Sequence, residues 1–323
     1  MNHENHIATA HDHLQALRSA LQTTIIGQTQ VINDVLVAAA ASGHILVEGV
    51  PGLGKTLLAR CFAKCIDCSF NRIQFTPDLM PSDIAGHAMF DAKTQEFSIR
   101  RGPVFTNFVL ADEINRSPAK TQAALLEAMQ EQQVSIEGET MDLPDPFIVL
   151  ATQNPIEQEG TYPLPQAQLD RFLIKVMIEY PGSDDELEML QLTTRGSTGD
   201  NLDLSRIQTI LGPQDLINIQ AAAAEVHVDD EVARYMVTLV RHTRDWNGIN
   251  SGAGPRASIA LLRAARAQAL LNGHDFVTPD DVQGITKAVL RHRISLTADL
   301  EIEGYRADDI IDNLIDQIEA PRK

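Results

Sequence analysis

Several features are scarce or missing in this 323-residue chain, and each absence removes a class of protein. Lysine and arginine number 26 against 44 aspartate and glutamate residues, a formal charge of −18, so non-specific attraction to nucleic acid is disfavoured over most of the surface. The longest apolar stretch, residues 35–47, is interrupted by Ser42, Gly43 and His44 and is too short to span a bilayer. The N-terminal residues lack both the basic and the apolar segment of a signal peptide, so we expect a cytoplasmic protein.

Cysteine is also scarce. The three thiols, Cys61, Cys65 and Cys68, lie close together, and the first two share a helix face at i, i+4 spacing. Tetrahedral zinc needs four ligands and no fourth ligand lies nearby in the sequence, so a metal site is not expected. We expect instead buried, reduced thiols on a core helix.

The apolar pattern of the first part of the chain indicates an α/β domain over residues 1–195, with an N-terminal helix. Continuous apolar runs alternate with helical patterns, at residues 44–49, 70–75, 108–113, 147–152 and 172–178. Such runs are typical of parallel strands covered on both faces, so we expect a five-stranded parallel sheet between helices. Two insertions, residues 86–105 and 133–145, interrupt the alternation and are predicted to form hairpins.

The pattern changes after residue 181. Residues 195–205 have the composition of a linker, and the remaining segments carry helical signals only, at residues 214–226, 229–246, 255–271, 279–291 and 306–318. Thr278 before Pro279, Asp280 and Asp281 is a helix N-cap followed by a proline and acids in the first turn. We predict a second, all-helical domain over residues 203–323.

One motif carries a specific chemistry. The segment GVPGLGKT, residues 49–56, follows a predicted strand and precedes a predicted helix, which is the context a P-loop requires. Its glycines let main-chain N–H groups close around phosphates, and the following helix offers its positive end. Lys55 would pair with the β- and γ-phosphates of ATP, and Thr56 would bind Mg²⁺.

Polar groups also follow two of the predicted strands. Asp112 and Glu113 end the run at residues 108–113, where parallel sheets place their ligands. Asp112 would hold the metal, directly or through a water molecule, and Glu113 would act as the base for the attacking water. Asn154 follows the next run and can orient a water without adding charge, although an asparagine before Pro155 is equally a turn former.

Together these segments resemble the MoxR family of AAA+ ATPases. The resemblance rests on residues 49–56, 110–131, 151–172 and 252–258, and it covers about residues 20–315. It implies a P-loop NTPase αβα sandwich with a C-terminal all-helical lid, and a ring, expected to be a hexamer, with ATP between subunits. The insertions at residues 86–105 and 133–145 resemble the helix-2 insert and the pre-sensor-1 hairpin of this clade, which point toward the pore or a partner in related rings.

The resemblance also assigns roles to individual residues. Asn154 resembles the sensor 1 residue, Arg171 the arginine finger that reaches into the neighbour's site, and Arg256 the sensor 2 arginine, which can reach a γ-phosphate from the start of a helix. Arg171 could instead form a surface ion pair, and Arg116, which closely follows the acids, is a rival finger. The resemblance places adenine against Ile25, Ile26 and Gly27, although two isoleucines are more often simply core. With the P-loop, the predicted nucleotide contacts are Ile26, Gly27, Gly49, Val50, Pro51, Gly52, Leu53, Gly54, Lys55, Thr56 and Leu57.

The function that the resemblance implies is ATP-driven maturation of other proteins or insertion of their cofactors. MoxR proteins often work with a separate protein that carries a von Willebrand factor A domain, so a client and such a partner are expected, and any membrane contact would be through partners. Two other functions stay open, a nucleic-acid motor and a nucleotide-gated binding module with little turnover. The acidity of the chain argues against the first, and the presence of Glu113 and Asn154 argues against the second.

Overall fold

The computed structural model describes residues 3–91, 95–155, 160–194 and 207–321. The first part of the chain contains α1 (His3–Gln22), α2 (Thr29–Ala40), β1 (Ile45–Glu48), α3 (Lys55–Cys65), β2 (Phe70–Gln74), α4 (Pro81–Ala85), β3 (Gly86–Asp91), β4 (Glu96–Arg101) and β5 (Phe108–Asp112). A 3-10 turn (Ile114–Arg116) leads to α5 (Ala119–Glu131), β6 (Gln133–Ile136), β7 (Glu139–Asp142), β8 (Ile148–Gln153), α6 (Gln166–Leu169), β9 (Ile174–Met177) and α7 (Ser183–Thr194). The last part contains α8 (Pro213–Glu225), α9 (Asp230–Asp245), β10 (Ile249–Ser251), α10 (Pro255–Asn272), α11 (Pro279–Leu290), β11 (Ser295–Leu296), α12 (Ala298–Ile302) and α13 (Ala307–Gln317).

The predicted five-stranded parallel sheet is confirmed. Its strand order is β2-β5-β8-β1-β9, and each neighbouring pair runs parallel. Strand β8 lies between β1 and β5, so that Val47 is level with Thr152 on one side and Leu110 is level with Leu150 on the other. The order therefore brings the carboxyl ends of β1, β5 and β8 to one edge of the sheet, where their following residues meet.

The two faces of the sheet explain why its three inner strands, β1, β5 and β8, are largely apolar. Successive side chains of a strand point to opposite faces. Ile45 and Val47 belong to the core under α1, α2 and α3, whereas Leu46 belongs to a second core under α4 and α5. The residues of β5 and β8 divide in the same way, so neither face of these strands can tolerate a regular polar position.

The C-terminal part is helical, as predicted, except for one short element. Strands β10 and β11 form an antiparallel pair that the sequence analysis did not anticipate. The N-cap at Thr278 is confirmed, since its hydroxyl accepts a hydrogen bond from the Asp281 N–H at 3.2 Å. The helices α8 to α11 share a continuous core with α1 and α2, which fixes this part of the chain against one face of the sheet.

Two contacts show how the helical part is joined to the rest. From α10, the Arg263 guanidinium donates to the Ala41 and Ser42 carbonyl oxygens, at 2.6 and 2.9 Å, just before β1 begins. From α1, Gln15 donates to the Leu271 carbonyl at 2.7 Å. The start of β1 and the N-terminal helix therefore both contact α10.

Both predicted hairpins are confirmed. Strands β3 and β4 pair antiparallel, and so do β6 and β7, with a turn at Glu137 and Gly138 in which both residues have positive φ. The predicted linker at residues 195–205 lies outside the described residues. No helix within the described ranges is both long enough and apolar enough to cross a membrane.

The thiols lie where the sequence placed them. Cys61 and Cys65 are fully buried on α3, Cys68 is partly buried, and all three are free. Burial is the main cause that raises the pKa to about 12 for Cys61, about 11 for Cys65 and about 12 for Cys68. These thiols are therefore protonated parts of the core at neutral pH.

Candidate functional site

The P-loop connects the end of β1 to the first turn of α3. Gly54, with φ of 76°, immediately precedes the helix, and a side chain added at Gly52 or Gly54 would meet no atom within 4 Å. The Lys55 ammonium donates to the Gly49 carbonyl at 2.6 Å, across the mouth of the loop. The loop is thus an open concave surface of main chain in front of a helix N-terminus, which is the form of a phosphate-binding site.

The two predicted acids lie beside this loop. Asp112 ends β5 and accepts a hydrogen bond from the Thr152 hydroxyl at 2.7 Å, while the Glu113 N–H donates to the same hydroxyl at 2.8 Å. Burial lowers the pKa of Lys55, and the negative charges of Asp112, Glu113 and Glu48 oppose that effect. The P-loop lysine and the acids therefore lie at the same edge of the sheet, one strand apart.

Side chains of β2 hold both carboxylates. Arg72 donates to Asp112 Oδ2 through Nε, at 3.0 Å, and through Nη2, at 2.5 Å. Gln74 donates to Glu113 Oε2 at 2.9 Å, and Arg116 donates to the same oxygen at 2.9 Å. The base predicted from sequence is thus held by two donors of its own chain, one of them the rival finger Arg116.

The sequence analysis missed Arg72, Gln74 and Thr152. A signal for them exists, because Gln74 is level with Asp112 in the sheet and Arg72 precedes it by two residues on the same face of β2. Polar residues at alternate positions of the second predicted strand could have indicated Arg72 and Gln74 as neighbours of the acidic site.

Asn154, Gly27 and Gly49, which were also predicted from sequence, lie near the P-loop and the acids. Asn154 is buried directly after β8, between the P-loop strand and the acidic strand. A side chain at Gly27 would come within 2.8 Å of Asp185, and one at Gly49 within 2.8 Å of the Ile178 carbonyl. Gly27 and Gly49 therefore both approach the segment that follows β9 closely.

This edge fits ATP with Mg²⁺. Main-chain N–H groups, the Lys55 ammonium and the N-terminus of α3 are donors and positive charge for phosphates. The Asp112 carboxylate and the Thr56 hydroxyl offer the oxygen atoms that Mg²⁺ prefers. Val50, Leu53 and Leu57 are half-buried and Pro51 is exposed, so the rest of the loop has few polar side chains to compete.

Arg171 and Arg256 lie elsewhere, and they lie together. Both line a cleft of about 470 Å³ with Arg263 and Arg293. Asp170 is the one acidic residue among the side chains that line it. The walls come from the residues before β1, the end of α5, the residues before β9 and the first turns of α10. In a chain with a net charge of −18, this cleft is a concentration of positive charge.

The cleft and the P-loop occupy opposite edges of the sheet. The P-loop follows the carboxyl end of β1, whereas the cleft is lined by Ser42, Gly43 and His44, which precede its amino end. At a rise of about 3.3 Å per residue, His44 and Gly49 are on the order of 17 Å apart. Neither Arg171 nor Arg256 therefore lies beside the P-loop of its own chain.

The Arg171 guanidinium forms hydrogen bonds to α5, but one of its donors has no partner among the described residues. Its guanidinium donates to the Leu126 carbonyl at 3.2 Å and to the Gln130 side chain, both on α5. Its Nε is buried and has no hydrogen-bond partner among the residues that the structure describes. These two partners are neutral, while Glu127 and Glu131 line a neighbouring pocket with Arg171, so the surface ion pair considered from sequence stays an alternative.

The fold and the P-loop edge define a P-loop nucleoside triphosphatase with a helical lid, and the comparisons agree. A family described as "ATPase family associated with various cellular activities (AAA)" matches residues 44–174, and one described as "AAA lid domain" matches residues 241–314. "Chaperone MoxR1" of Mycobacterium tuberculosis is 44% identical over 307 residues, which cover 92% of this chain and 80% of that protein.

Two further relatives cover nearly the whole chain. "Uncharacterized protein YeaC" of Bacillus subtilis is 44% identical over 301 residues, 93% of this chain and 92% of that one. A crystal structure of a presumed ATPase from Cytophaga hutchinsonii has a TM-score of 0.90 at 40% identity, with 99% and 98% of the two chains covered. The chain belongs to the MoxR family of AAA+ ATPases, as the resemblance implied, and its reaction is the hydrolysis of ATP.

Proposed function

We propose that this chain is one subunit of a head-to-tail ring, a hexamer by family resemblance, whose ATP sites lie between neighbours and drive the remodelling of client proteins. One observation carries the proposal. Arg171 and Arg256 line a positive cleft at the edge of the sheet opposite the P-loop. Two halves of a site that face away from each other can meet only when copies of the chain pack head to tail.

The chemistry divides between the two halves. At the P-loop edge, Lys55 and the main chain bind the phosphates, Thr56 and Asp112 hold Mg²⁺, Glu113 takes the proton of the attacking water, and Asn154 orients that water. Bound Mg²⁺ supplies positive charge that stabilises the transferred phosphoryl group. At the other edge, Arg171 and Arg256 stabilise the same charge from the neighbouring subunit.

Charge complementarity supports this arrangement over the use of Arg116 as the finger. Arg116 pairs with Glu113 of its own chain at 2.9 Å, so it lies at the P-loop edge of that chain and not at the opposite edge. Arg171 keeps an unsatisfied donor within the described residues and lies in a cleft where four arginines face one carboxylate. A triphosphate on the adjoining subunit is a matched partner for such a cleft.

A chaperone role follows from the relatives and from one exposed element. One relative is named Chaperone MoxR1, which supports remodelling of client proteins, with a separate von Willebrand factor A domain partner as the resemblance implies. On the hairpin β3–β4, the ring centroids of Phe90 and Phe97 are 5.2 Å apart, and the two residues are 52% and 76% exposed. Exposed aromatic pairs on a projecting hairpin are suited to contact a partner or client. We place this work in the cytoplasm.

The test is complementation between two inactive variants. Arg171→Ala keeps a whole P-loop edge but lacks the finger, and Glu113→Gln keeps the finger but lacks the base. Arg171→Ala alone should lower turnover by about 10³-fold to 10⁵-fold. Glu113→Gln alone should lower it by about 10²-fold to 10⁴-fold. Random mixing at equal amounts leaves about a quarter of head-to-tail interfaces with both working parts, so ATPase activity should return.

A mixture that stays inactive, with mixed rings verified by native mass spectrometry, would show that Arg171 does not act on a neighbour. Sedimentation with a slowly hydrolysed ATP analogue gives a second measurement, since a nucleotide that bridges subunits should strengthen assembly. An unchanged monomer at high protein concentration would contradict the ring.

A further inference from the structure

A buried lid arginine contacts the residues on both sides of the proposed finger. Arg293 lies between α11 and β11, and its Nε donates to Asp170 Oδ1 at 2.8 Å. Its Nη2 donates to the Phe172 carbonyl at 2.7 Å, and its Nη1 donates to the Leu173 carbonyl at 3.0 Å. Arg171 lies between these contacts in the sequence, so the lid is bonded to the side chain of the residue before the finger and to the main chain of the two residues after it.

The residue beside it adds two more bonds between the same segments. His292 contacts the Phe172 carbonyl through Nε2 at 3.1 Å, and the Gln166 side chain donates to the His292 carbonyl at 2.8 Å. Because a carbonyl only accepts, His292 Nε2 carries the proton of the neutral ring. Burial, followed by the charge of Arg293, keeps the pKa of His292 well below its ordinary value.

Burial makes the contact of Arg293 specific. Its side chain is only 4% exposed, and burial lowers its pKa while Asp170 raises it. A buried guanidinium is tolerated only when its donors find acceptors, and the Arg293 acceptors are Val289 on its own turn and the segment 170–173. The planar fork reaches these acceptors in several directions at once, which a lysine cannot do.

We infer that Arg293 is a positioning residue for Arg171, which joins the finger segment to the lid so that Arg171 and Arg256 act on the neighbouring ATP as one unit. The inference rests on the proposed function. It has a mechanical consequence, because a shift of the lid relative to the sheet would move the segment that carries the finger. Arg293 lines the same cleft as Arg171, but its donors are taken up by Asp170 and by main-chain carbonyls, so we assign it to positioning rather than to contact with the nucleotide.

The test uses Arg293→Lys in the full chain, with Arg291→Lys as the matched control. Arg291 is also a lid arginine, 12% exposed, but it bonds Asp308 and the Lys175 carbonyl rather than the finger segment. We expect Arg293→Lys to lower kcat by about 10²-fold, the cost of a small misplacement of a catalytic group, with the Kd for ATP changed by less than about twofold. The control should keep kcat within about twofold of the unaltered chain.

Mixing experiments decide whether the loss belongs to the finger. Arg293→Lys mixed with Glu113→Gln should regain activity, because Glu113→Gln brings an intact finger to the intact P-loop edge of Arg293→Lys. Arg293→Lys mixed with Arg171→Ala should stay inactive, because both lack a working finger. If circular dichroism shows that Arg293→Lys has lost its fold, Asp170→Asn, which alters the finger side of the same contact, takes its place in both mixtures.

The outcomes separate this inference from the proposed function. Two results would overturn the role of Arg293 alone. One is that Arg293→Lys loses ATP affinity together with kcat. The other is that Arg293→Lys mixed with Glu113→Gln stays inactive while Arg171→Ala mixed with Glu113→Gln regains activity. No recovery in the mixture of Arg171→Ala and Glu113→Gln would overturn the finger itself.

Discussion

The two edges of the sheet are built in different ways. At the P-loop edge, Lys55 and Thr56 begin α3, while Asp112, Glu113 and Asn154 stand at the end of a strand or within a residue of one, and Thr152 of β8 joins the two acids across neighbouring strands. At the opposite edge, the arginine cleft combines residues from α5, from the segment before β9 and from α10 and the turn after α11. The first edge is therefore fixed by the sheet and the helix that follows its first strand, whereas the second depends on how the lid sits on the sheet.

The largest effect should separate binding from chemistry within the P-loop edge. Lys55→Ala should abolish tight ATP binding, because the ammonium at the mouth of the loop is the phosphate contact. Glu113→Gln should keep ATP affinity and lose about 10² to 10⁴ in turnover, because only the base is removed. Titration with a fluorescent ATP analogue and a phosphate-release assay measure the two quantities.

Lys120→Ala, an exposed lysine at the start of α5, is the control for removal of a positive charge. An equal loss of nucleotide affinity in Lys55→Ala and Glu113→Gln would show that Glu113 is part of the binding surface and not the base.

A smaller effect is expected at the hydroxyl that joins the two acids. Thr152→Val keeps the shape of the side chain but removes the donor to Asp112 and the acceptor for the Glu113 N–H. Unsatisfied buried groups of this kind cost about 1–3 kcal/mol each. We expect kcat to fall about tenfold and the half-saturating Mg²⁺ concentration to rise, while Thr152→Ser, which keeps the hydroxyl, stays near the unaltered chain. Equal kinetics in the valine and serine variants would remove Thr152 from the site.

The last prediction concerns the pH dependence of stability rather than activity, and it belongs to the arginine edge. His44 accepts a hydrogen bond from the Val149 N–H at 3.1 Å and contacts the Met129 carbonyl at 3.1 Å, which joins the end of α5 to the sheet. Burial is the main cause that lowers the pKa of His44 to about 4. Because the pKa of His44 is lower in the folded state than its ordinary value of about 6.5, the neutral ring stabilises the folded state at pH values above 6.5. This contribution to stability is lost as the pH falls from 6.5 toward 4.

The expected loss is about 3 kcal/mol over that range. It should be absent in His44→Gln, whose amide can replace both hydrogen bonds, and unchanged in His87→Gln, an exposed histidine on β3. Urea unfolding at pH 7.5 and pH 4.5 measures it. If the unaltered chain and His44→Gln lose the same stability between these two pH values, the protonation of His44 does not control this edge.

The difference between the edges also explains what the sequence could predict. Gly49 to Thr56, Asp112 and Glu113 were found because a strand end and a short motif are local features of the chain. The strands β1, β5 and β8 were found because they are apolar on both faces, and the edge strands β2 and β9 because shorter apolar patterns recur between the predicted helices.

The cleft could not be predicted in the same way. Arg293 is 122 residues from Arg171 in the sequence, and nothing in its own segment indicates that it bonds the residues on either side of a finger. Likewise, the position of Arg256 at the edge opposite the P-loop follows from how α10 is anchored by Arg263 before β1. Such tertiary placement leaves no periodic or local signal.

The three native thiols of this chain should react slowly with thiol-specific labels. With pKa values of about 11 to 12, Cys61, Cys65 and Cys68 each hold on the order of 10⁻⁴ or less of their population as thiolate at neutral pH. Maleimide probes react through the thiolate, so labelling of the native chain is slow. A cysteine introduced for the exposed Phe97 would therefore react first, and the unaltered chain would serve as its own blank for tracking the hairpin during ATP turnover.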